Sequence, residues 1–397
     1  MLLINIDVKM KIVYYSKTFF ADCDFPLIKA LQDKGIDVRY YMSLPRNFQM
    51  DNLIELDKPI KRMQLVKASK IKGMEKYKDC IDLNRLYFIA GYPNRVFWFP
   101  SWFFWLYCVI HILLQKPDVI HIDWQLSSPF EKLLLLTKCV RKRVMTVHDP
   151  IAHTGNYCKK DEKNRKQSFA WANKFILLNK VQVQDFVDTY NIDIENIYFS
   201  HLGVYDSISR VKSLQLSFDS PYILFFGYIN KYKGLEYLLK AMALVHKDYP
   251  ELKLIIAGRG DFYFDVNEYM NLDYIEWRNR YIGVAELAGL LHGCICVVCP
   301  YTDATQSGVV QTAFSSGVPV IATNVGALPE VVIDGINGLI VKPLDSTELC
   351  SAIKKIYSQE DLRVRMVDNV KRFWQNNNSW DSISNDYIDV YLECQNK

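Results

Sequence analysis

Four glycine-bearing turns lie in the second half of the chain, and the first and third carry residue types that could bind an anion. The first is GYINKYKG, in which Lys233 precedes Gly234 and a predicted helix start. A lysine at such a position can reach a phosphate group while the backbone N–H groups of the first helical turn hydrogen-bond to it. A solvated lysine in a surface loop has the same pattern, so both interpretations stay open on this turn alone.

The second and third turns are compatible with the binding of a ligand, whereas the fourth shows only turn signals around a short helix. In AGRGD, Arg259 lies between two glycines, which allow a ligand to approach the backbone closely. In PYTDATQSGVV, small polar residues and a glycine lie where a helix begins, and such a helix start favours an anion. An ordinary N-cap by Thr305 or Ser307 explains the third turn equally well. The fourth turn runs through GALPE and DGING.

Strands and helices alternate in both halves of the chain, which is typical of βαβ units and a parallel sheet. The predicted strands are short apolar runs at 11–16, 38–42, 119–123, 143–148, 175–178, 222–226, 252–257, 294–299 and 318–322. The predicted helices span 26–34, 130–140, 234–246, 285–291, 309–314, 346–357, 361–375 and 379–393. The four turns therefore follow strands, at the carboxyl edge of a predicted sheet.

The length of 397 residues suits two domains. We predict an amino-terminal domain over 1–204 and a carboxy-terminal domain over 205–378, joined by the polar segment 205–220. The last helix, about 379–397, is expected to pack back on the first domain. Two doubly wound domains that face each other form a cleft at the carboxyl ends of their strands, where ligands bind.

Composition excludes several classes of protein. Hydrophobic residues make up 50% of the chain, too many for a disordered protein, and a net charge of +4 is too small for a dedicated nucleic-acid binder. Cys296 and Cys299 form a CxxC pair in an apolar run, which we interpret as a buried strand because no second pair completes a metal site. Scattered cysteines and an amino terminus unlike a signal peptide indicate a cytoplasmic protein.

Taken in order, GYINKYKG, LIIAGRGD and PYTDATQSGVVQTAFSSGVPVIATNVGALPEVVIDGINGLIV resemble the retaining GT-B glycosyltransferases of family 4, also called glycosyl transferase group 1. The match runs from about Tyr222 to Val341, and KPDVIHID, RVMTVHDP and HLGV in the first half are compatible with it. The resemblance implies an α/β fold of two Rossmann-like parallel-sheet domains facing a central cleft. It also implies a hexosyl- or related glycosyltransferase that retains anomeric configuration, with a nucleoside diphosphate sugar as donor and no metal or other cofactor.

The resemblance extends to individual residues. It places His148 near the transferred sugar and Lys233 on the donor diphosphate, both as catalytic residues. It implies donor contacts from residues of the glycine turns and of the helix that follows the third turn: Gly227, Asn230, Lys231, Arg259, Gln306, Ser307, Gly308, Val309 and Thr312.

The chain also departs from the family pattern. Tyr228 replaces an arginine whose charge Lys231 can supply, and Ala304 and Thr312 occupy the positions of two paired acids. Neither acid acts as base or nucleophile in the family, so the transfer reaction does not require them. The first acid normally contacts the sugar hydroxyls, so we expect altered sugar specificity. A catalytically silent nucleotide-sugar binder or scaffold stays open as the alternative. An epimerase or phosphorylase of the same fold is less well supported.

The segment 96–114, VFWFPSWFFWLYCVIHILL, is aromatic and uncharged and approaches transmembrane length. Pro100 and His111 argue against a membrane span. Two interpretations remain: a buried core helix, or a surface that lies on an anionic membrane, with Trp98, Trp102 and Trp105 as one stripe. Basic residues from Lys138 onward favour the second, which would suit a glycan acceptor linked to polyprenyl diphosphate on the inner face of a membrane.

Overall fold

The computed structural model describes residues 10–45, 54, 56, 58–92, 95–151, 158–205, 208, 212–376 and 379–393. The chain forms two compact units, and the bounds that follow apply to their described residues. The first unit comprises Met1–Ile151, Tyr157–His201 and Trp380–Lys397, and the second comprises Ala152–Asn156 and Leu202–Ser379. Part of the predicted linker 205–220 lies outside the described residues.

The first unit contains an eight-stranded sheet in the order β3-β4-β2-β1-β5-β6-β7-β8. The strands pair in parallel except for β3, which runs antiparallel to β4 at the edge. The strands are β1 (Lys11–Lys17), β2 (Asp37–Ser43), β3 (Gln64–Lys67), β4 (Leu86–Ala90), β5 (Val119–Ile122), β6 (Lys142–Val147), β7 (Lys174–Leu177) and β8 (Ile197–Phe199). The longer helices of this part of the chain are α1 (Ala21–Asp33), α2 (Phe99–Leu114), α3 (Lys159–Phe169) and α4 (Val183–Tyr190). The inner strands are apolar runs because helices cover both faces of a parallel sheet.

The second unit contains a six-stranded parallel sheet in the order β11-β10-β9-β12-β13-β14. Its strands are β9 (Tyr222–Phe226), β10 (Lys253–Ala257), β11 (Ile275–Arg278), β12 (Val297–Cys299), β13 (Val320–Thr323) and β14 (Gly338–Val341). Its helices are α5 (Leu235–Val245), α6 (Val284–Gly293), α7 (Gly308–Ser315), α8 (Leu328–Val331), α9 (Ser346–Ser358) and α10 (Glu360–Asn376). The first three turns and the GALPE part of the fourth follow β9, β10, β12 and β13, which are neighbours, so these segments lie at one edge of the sheet. The DGING part of the fourth turn leads into the start of β14.

The last helix, α11 (Trp380–Glu393), belongs to the first unit. Tyr391 on this helix lies with its hydroxyl 2.6 Å from Nδ1 of His121, a buried residue of β5. The other ring nitrogen of His121 lies 2.8 Å from Oγ1 of Thr146. Burial lowers the pKa of His121 to about 3, so the ring is neutral and links α11 to the sheet.

The α/β fold with two parallel sheets is as predicted, but several elements differ from the sequence prediction. The helix predicted at 26–34 begins at Ala21, so Pro26 lies inside it rather than at its start. The helix predicted at 130–140 is a 3₁₀ helix, Glu131–Cys139. The prediction omitted short or partly polar elements, whose periodicity is weak: β3, β4, β8, β11, β14, α3 and α4. Cys296 and Cys299 are buried at β12, as their apolar surroundings indicated.

The tryptophans of segment 96–114 do not form one exposed stripe, so the prediction that these three side chains share a membrane-facing surface is wrong. Trp105 is only 3% exposed, and Trp102 packs edge-on against buried Phe130 with ring centroids 4.9 Å apart. Trp98 precedes α2 and is partly exposed. Within the described part of the chain, no helix is both long and apolar enough to span a bilayer.

Candidate active site

Lys233 lies at the centre of the glycine-turn edge of the second unit. It ends a short 3₁₀ helix, Lys231–Lys233, and its side chain is buried. A Cβ built on Gly227 would lie 3.0 Å from Nζ of Lys233 and 3.4 Å from Cγ2 of Val309. The Nζ atom also lies 5.3 Å from the ring centroid of Tyr301. The ammonium group is therefore held between the end of β9 and the first turn of α7.

Two glycines allow the backbone to place Lys233 there. Gly234 has a φ of +64°, and a Cβ on it would lie 2.0 Å from the carbonyl oxygen of Pro300. A Cβ on Gly258 would lie 1.9 Å from the carbonyl oxygen of Gly227. Because no side chain fits at either contact, the turns after β9, β10 and β12 can approach one another closely.

The third turn forms the start of α7. Ser307 is the N-cap residue, and its Oγ accepts a hydrogen bond from the backbone N–H of Val310 at 3.3 Å. The hydroxyl of Tyr301 lies 3.3 Å from the same Oγ. A Cβ on Gly308 would lie 3.0 Å from the ring of Tyr205. Ser307 therefore acts as the ordinary N-cap, at a helix start that also borders Lys233 through Val309.

The electrostatics of this edge favour an anion. Burial lowers the pKa of Lys233 to about 8, which leaves the ammonium form predominant at pH 7. Among the described residues no carboxylate contributes to that pKa. The start of α7 adds the partial positive charge of a helix N-terminus. Two positive groups without a described carboxylate partner form a site that a phosphate or diphosphate would neutralise.

The remaining residues implied for the donor differ in position. The carbonyl oxygen of Asn230 accepts a hydrogen bond from the backbone N–H of Lys233, so Asn230 shapes the turn, while Lys231 is exposed. Arg259 and Gln306 are half-buried in the second and third turns. Thr312 is buried in α7, one turn beyond the helix start.

In the first unit, His148 follows β6 and Asp123 follows the neighbouring β5. The Nε2 atom of His148 lies 2.9 Å from Oδ2 of Asp123. The imidazole ring stacks on Phe20, with centroids 4.1 Å apart, and lies near Trp124. Asp123 was not among the candidate residues. Its signal was present in the sequence, since it is the acid that ends the apolar run VIHID.

A buried network lies behind this pair. Tyr14 donates a hydrogen bond to Oδ1 of Asp123 at 2.8 Å, and its hydroxyl lies 3.2 Å from Oδ1 of Asp24. Tyr40 donates to Oδ2 of Asp24 at 2.6 Å. Burial and the charge of Asp123 raise the pKa of Asp24 well above its ordinary value. The network thus fixes Asp123, and Asp123 in turn fixes the orientation of the imidazole.

The two sheets and the glycine-turn edge define a protein of the GT-B fold. The crystal structure of the Anabaena HepE protein in complex with UDP-glucose superposes with a TM-score of 0.68 over 97% of this chain and 100% of that chain, at 13% identity. Residues 220–359 match the family model described as Glycosyl transferases group 1. This segment of the second unit is therefore similar in sequence to the group 1 glycosyl transferases.

Two relatives illustrate the similarity in sequence. An uncharacterized glycosyltransferase of Methanocaldococcus jannaschii is 28% identical over 198 residues, which are 47% of this chain and 48% of that protein. A D-inositol 3-phosphate glycosyltransferase of Arthrobacter sp. is 26% identical over 208 residues, 48% of this chain and 49% of that protein. The matched segments thus span about half the length of these relatives.

Proposed function

We propose that this protein is a glycosyltransferase that uses a nucleoside diphosphate sugar as donor. The observation that carries the proposal is the buried ammonium group of Lys233, 3.0 Å from the Cβ position of Gly227, beside the start of α7 and without a described carboxylate partner. The group 1 domain in residues 220–359 supports the same donor class. HepE, whose solved complex contains UDP-glucose, has the same fold.

In the proposed mechanism, negative charge that develops on the leaving diphosphate is stabilised by Lys233 and by the N–H groups at the start of α7. Preorganised charge of this kind supplies a large share of many enzymatic rate enhancements. His148, whose Nε2 lies 2.9 Å from Oδ2 of Asp123, is proposed to hydrogen-bond the transferred sugar, as the family resemblance implies. We propose retention of configuration. No step is assigned to the positions of Ala304 and Thr312.

We further propose that the acceptor is a glycan or a glycan linked to polyprenyl diphosphate, in polysaccharide or glycoconjugate biosynthesis. The protein would then work at the inner face of a membrane. The support for this step is the exposed apolar surface of α2, which includes Phe103 and Leu114, and the basic residues near it.

The alternative is a nucleotide-sugar-binding protein that transfers nothing. The specific observation in its favour is that Ala304 and Thr312 stand where the resembled enzymes have acids. Such a protein would bind the nucleotide but would release none from a nucleotide sugar.

The deciding experiment incubates the protein with a panel of nucleotide sugars and measures release of free nucleoside diphosphate, with EDTA present and absent. We expect slow release from one donor that persists in EDTA. Lys233→Met should abolish it, whereas Lys240→Met, a change of an exposed lysine on α5, should not. Donor binding without release from any sugar in the panel would contradict the proposed transferase and support the alternative.

A further inference from the structure

Helix α2 exposes a continuous face of large apolar side chains to solvent. Phe103 is 71% exposed and Leu114 is also 71% exposed, although both would be expected inside a soluble domain. We call this the α2 outer face, and its members are Phe99, Phe103, Leu106, Tyr107, Ile110 and Leu114. It contains no Asp, Glu, Lys or Arg.

The outer face is a regular feature of the helix rather than a scatter of exposed residues. At about 100° per residue, its six members fall within a stripe about 100° wide and about 22 Å long. The opposite side of the helix contributes Trp105, Val109 and Ile112 to the hydrophobic core of the first unit. The helix is therefore apolar on both sides, and only one side is covered by the residues that the structure describes.

The apolar surface continues onto a neighbouring element. The 3₁₀ helix Glu131–Cys139 packs beside α2 and exposes Leu136, of which 59% is accessible. Phe97, just before α2, is fully exposed. Surface patches of this kind mark sites of contact with a partner or a membrane.

Basic side chains lie on both sides of α2. On one side, Lys132 belongs to the 3₁₀ helix that packs beside α2, and partial burial and the charges of Lys163 and Lys160 lower its pKa. On the other side, burial and the charges of Arg39 and Lys67 lower the pKa of His111. The apolar stripe is thus bordered by positive charge.

We infer that the α2 outer face binds the surface of an anionic phospholipid bilayer, with its aromatic and aliphatic side chains among the acyl chains and the flanking lysines on the headgroups. Aromatic residues with basic neighbours are the composition of helices that lie in a membrane interface. A second copy of the chain fits less well, because a two-fold contact would bring identical basic borders together. This inference adds an anionic membrane surface as a partner to the proposed function. It rests on the proposed lipid-linked acceptor only for the reason why the protein would bind a membrane.

The test measures co-sedimentation with vesicles of phosphatidylcholine plus phosphatidylglycerol, and with vesicles of phosphatidylcholine alone. Wild-type protein should bind the anionic vesicles more tightly, and salt should weaken that binding. The double variant Phe103→Ser/Ile110→Ser should bind at least about tenfold more weakly. Ile194→Ser is the matched control, since Ile194 is 59% exposed elsewhere in the first unit and its loss should change nothing.

A second pair of variants tests the charged border. Lys132→Gln/Lys163→Gln should weaken binding to anionic vesicles and leave binding to neutral vesicles unchanged, whereas Lys355→Gln on α9 should affect neither. Thermal melts establish that each variant is folded. Unchanged vesicle binding by folded Phe103→Ser/Ile110→Ser would overturn the inference. The inference would also be overturned if the wild type is a dimer and the double variant is a monomer that still binds vesicles. Nucleotide release measured without vesicles reports separately on the proposed transferase.

Discussion

The Nε2 atom of His148 donates a hydrogen bond to Oδ2 of Asp123, and the two atoms lie 2.9 Å apart. The contact joins the ends of two adjacent parallel strands, β6 and β5, and 25 residues of chain separate its members. Asp123 is held from behind by Tyr14. The pair is thus preorganised, which is the property expected of a group that positions a substrate.

Replacing Asp123 by Asn should reduce the rate of sugar transfer. The amide would present an N–H group to Nε2 of His148, which a carboxylate does not have. This N–H group favours the tautomer that carries its proton on Nδ1, which is the wrong one for accepting a hydrogen bond there. Loss of a hydrogen bond to a charged group costs about 1.5–3 kcal/mol, which corresponds to roughly a 10- to 150-fold slower reaction. The measurement is the pH profile of nucleotide release, because a merely structural change would lower the rate without altering that profile.

Asp118→Asn is the control for this prediction. Asp118 precedes β5, and its Oδ2 accepts a hydrogen bond from the backbone N–H of Lys11, which an amide oxygen can also accept. We expect wild-type activity from this variant. Equal rates for Asp123→Asn and the wild type would show that the contact plays no part in positioning His148.

Replacing Lys233 by Met should stabilise the folded protein at neutral pH. Lys233 has a pKa of about 8 in the folded state against an ordinary 10.5. Burying the charged form therefore costs about 3 kcal/mol below pH 8. That cost is progressively relieved as the pH rises from about 8 to 10.5, since the folded state loses its proton first. In urea unfolding at pH 7, the free energy of unfolding of Lys233→Met should exceed that of the wild type by up to about 3 kcal/mol, and this difference should disappear by pH 10.5. A less stable variant at pH 7 would contradict the burial argument.

Binding of UDP should weaken as the pH rises above 8. The unliganded protein then loses the proton on Lys233, whereas the diphosphate complex requires it, so binding must take up a proton. The dissociation constant should rise by about tenfold per pH unit in this range. Calorimetric titration at several pH values measures it. Lys233→Met should bind UDP weakly with no such slope, and a flat wild-type profile would remove Lys233 from the diphosphate site.

Replacing Gly234 by Ala should destabilise the second unit and displace Lys233. The new Cβ would lie 2.0 Å from the carbonyl oxygen of Pro300, at a φ of +64°. Gly335→Ala is a matched control, because Gly335 has a φ of +72° with nothing within 4 Å of its Cβ position. The control should lose about 1 kcal/mol from conformational strain alone, and Gly234→Ala about 3 kcal/mol or more. Equal losses in urea unfolding would show that the close contact with Pro300 is unimportant.

The site in the second unit was largely predictable from local sequence. Each glycine-bearing turn directly follows an apolar strand, and Lys233 stands immediately before a helix. These are short-range features, and parallel strands bring such turns to one edge whatever the order of the strands. The approach of Val309 to Gly227 and Lys233 depends in addition on the pairing of β12 with β9, which the structure shows. How each contacts a donor stays a prediction.

The network in the first unit was less predictable. His148 was expected from the family resemblance, but Asp123, Tyr14 and Asp24 were not named as its partners. Their contact depends on the register of β1, β5 and β6 and on the placement of α1. A strand pattern predicts that a residue ends a strand, but it does not specify which strand becomes its neighbour.

Taken alone, the sequence determined that the chain alternates strands and helices and that glycine-bearing turns follow its second-half strands, because strand and helix periodicity and glycine turns are local properties. Only the tertiary structure decided that Asp123 supports His148 and that α2 buries Trp105 while exposing Phe103. The reason for the second point is physical. A helix that is apolar all round has no amphipathic pattern that specifies its buried side. The buried side is the one whose side chains fit against the sheet and against neighbours such as Phe130.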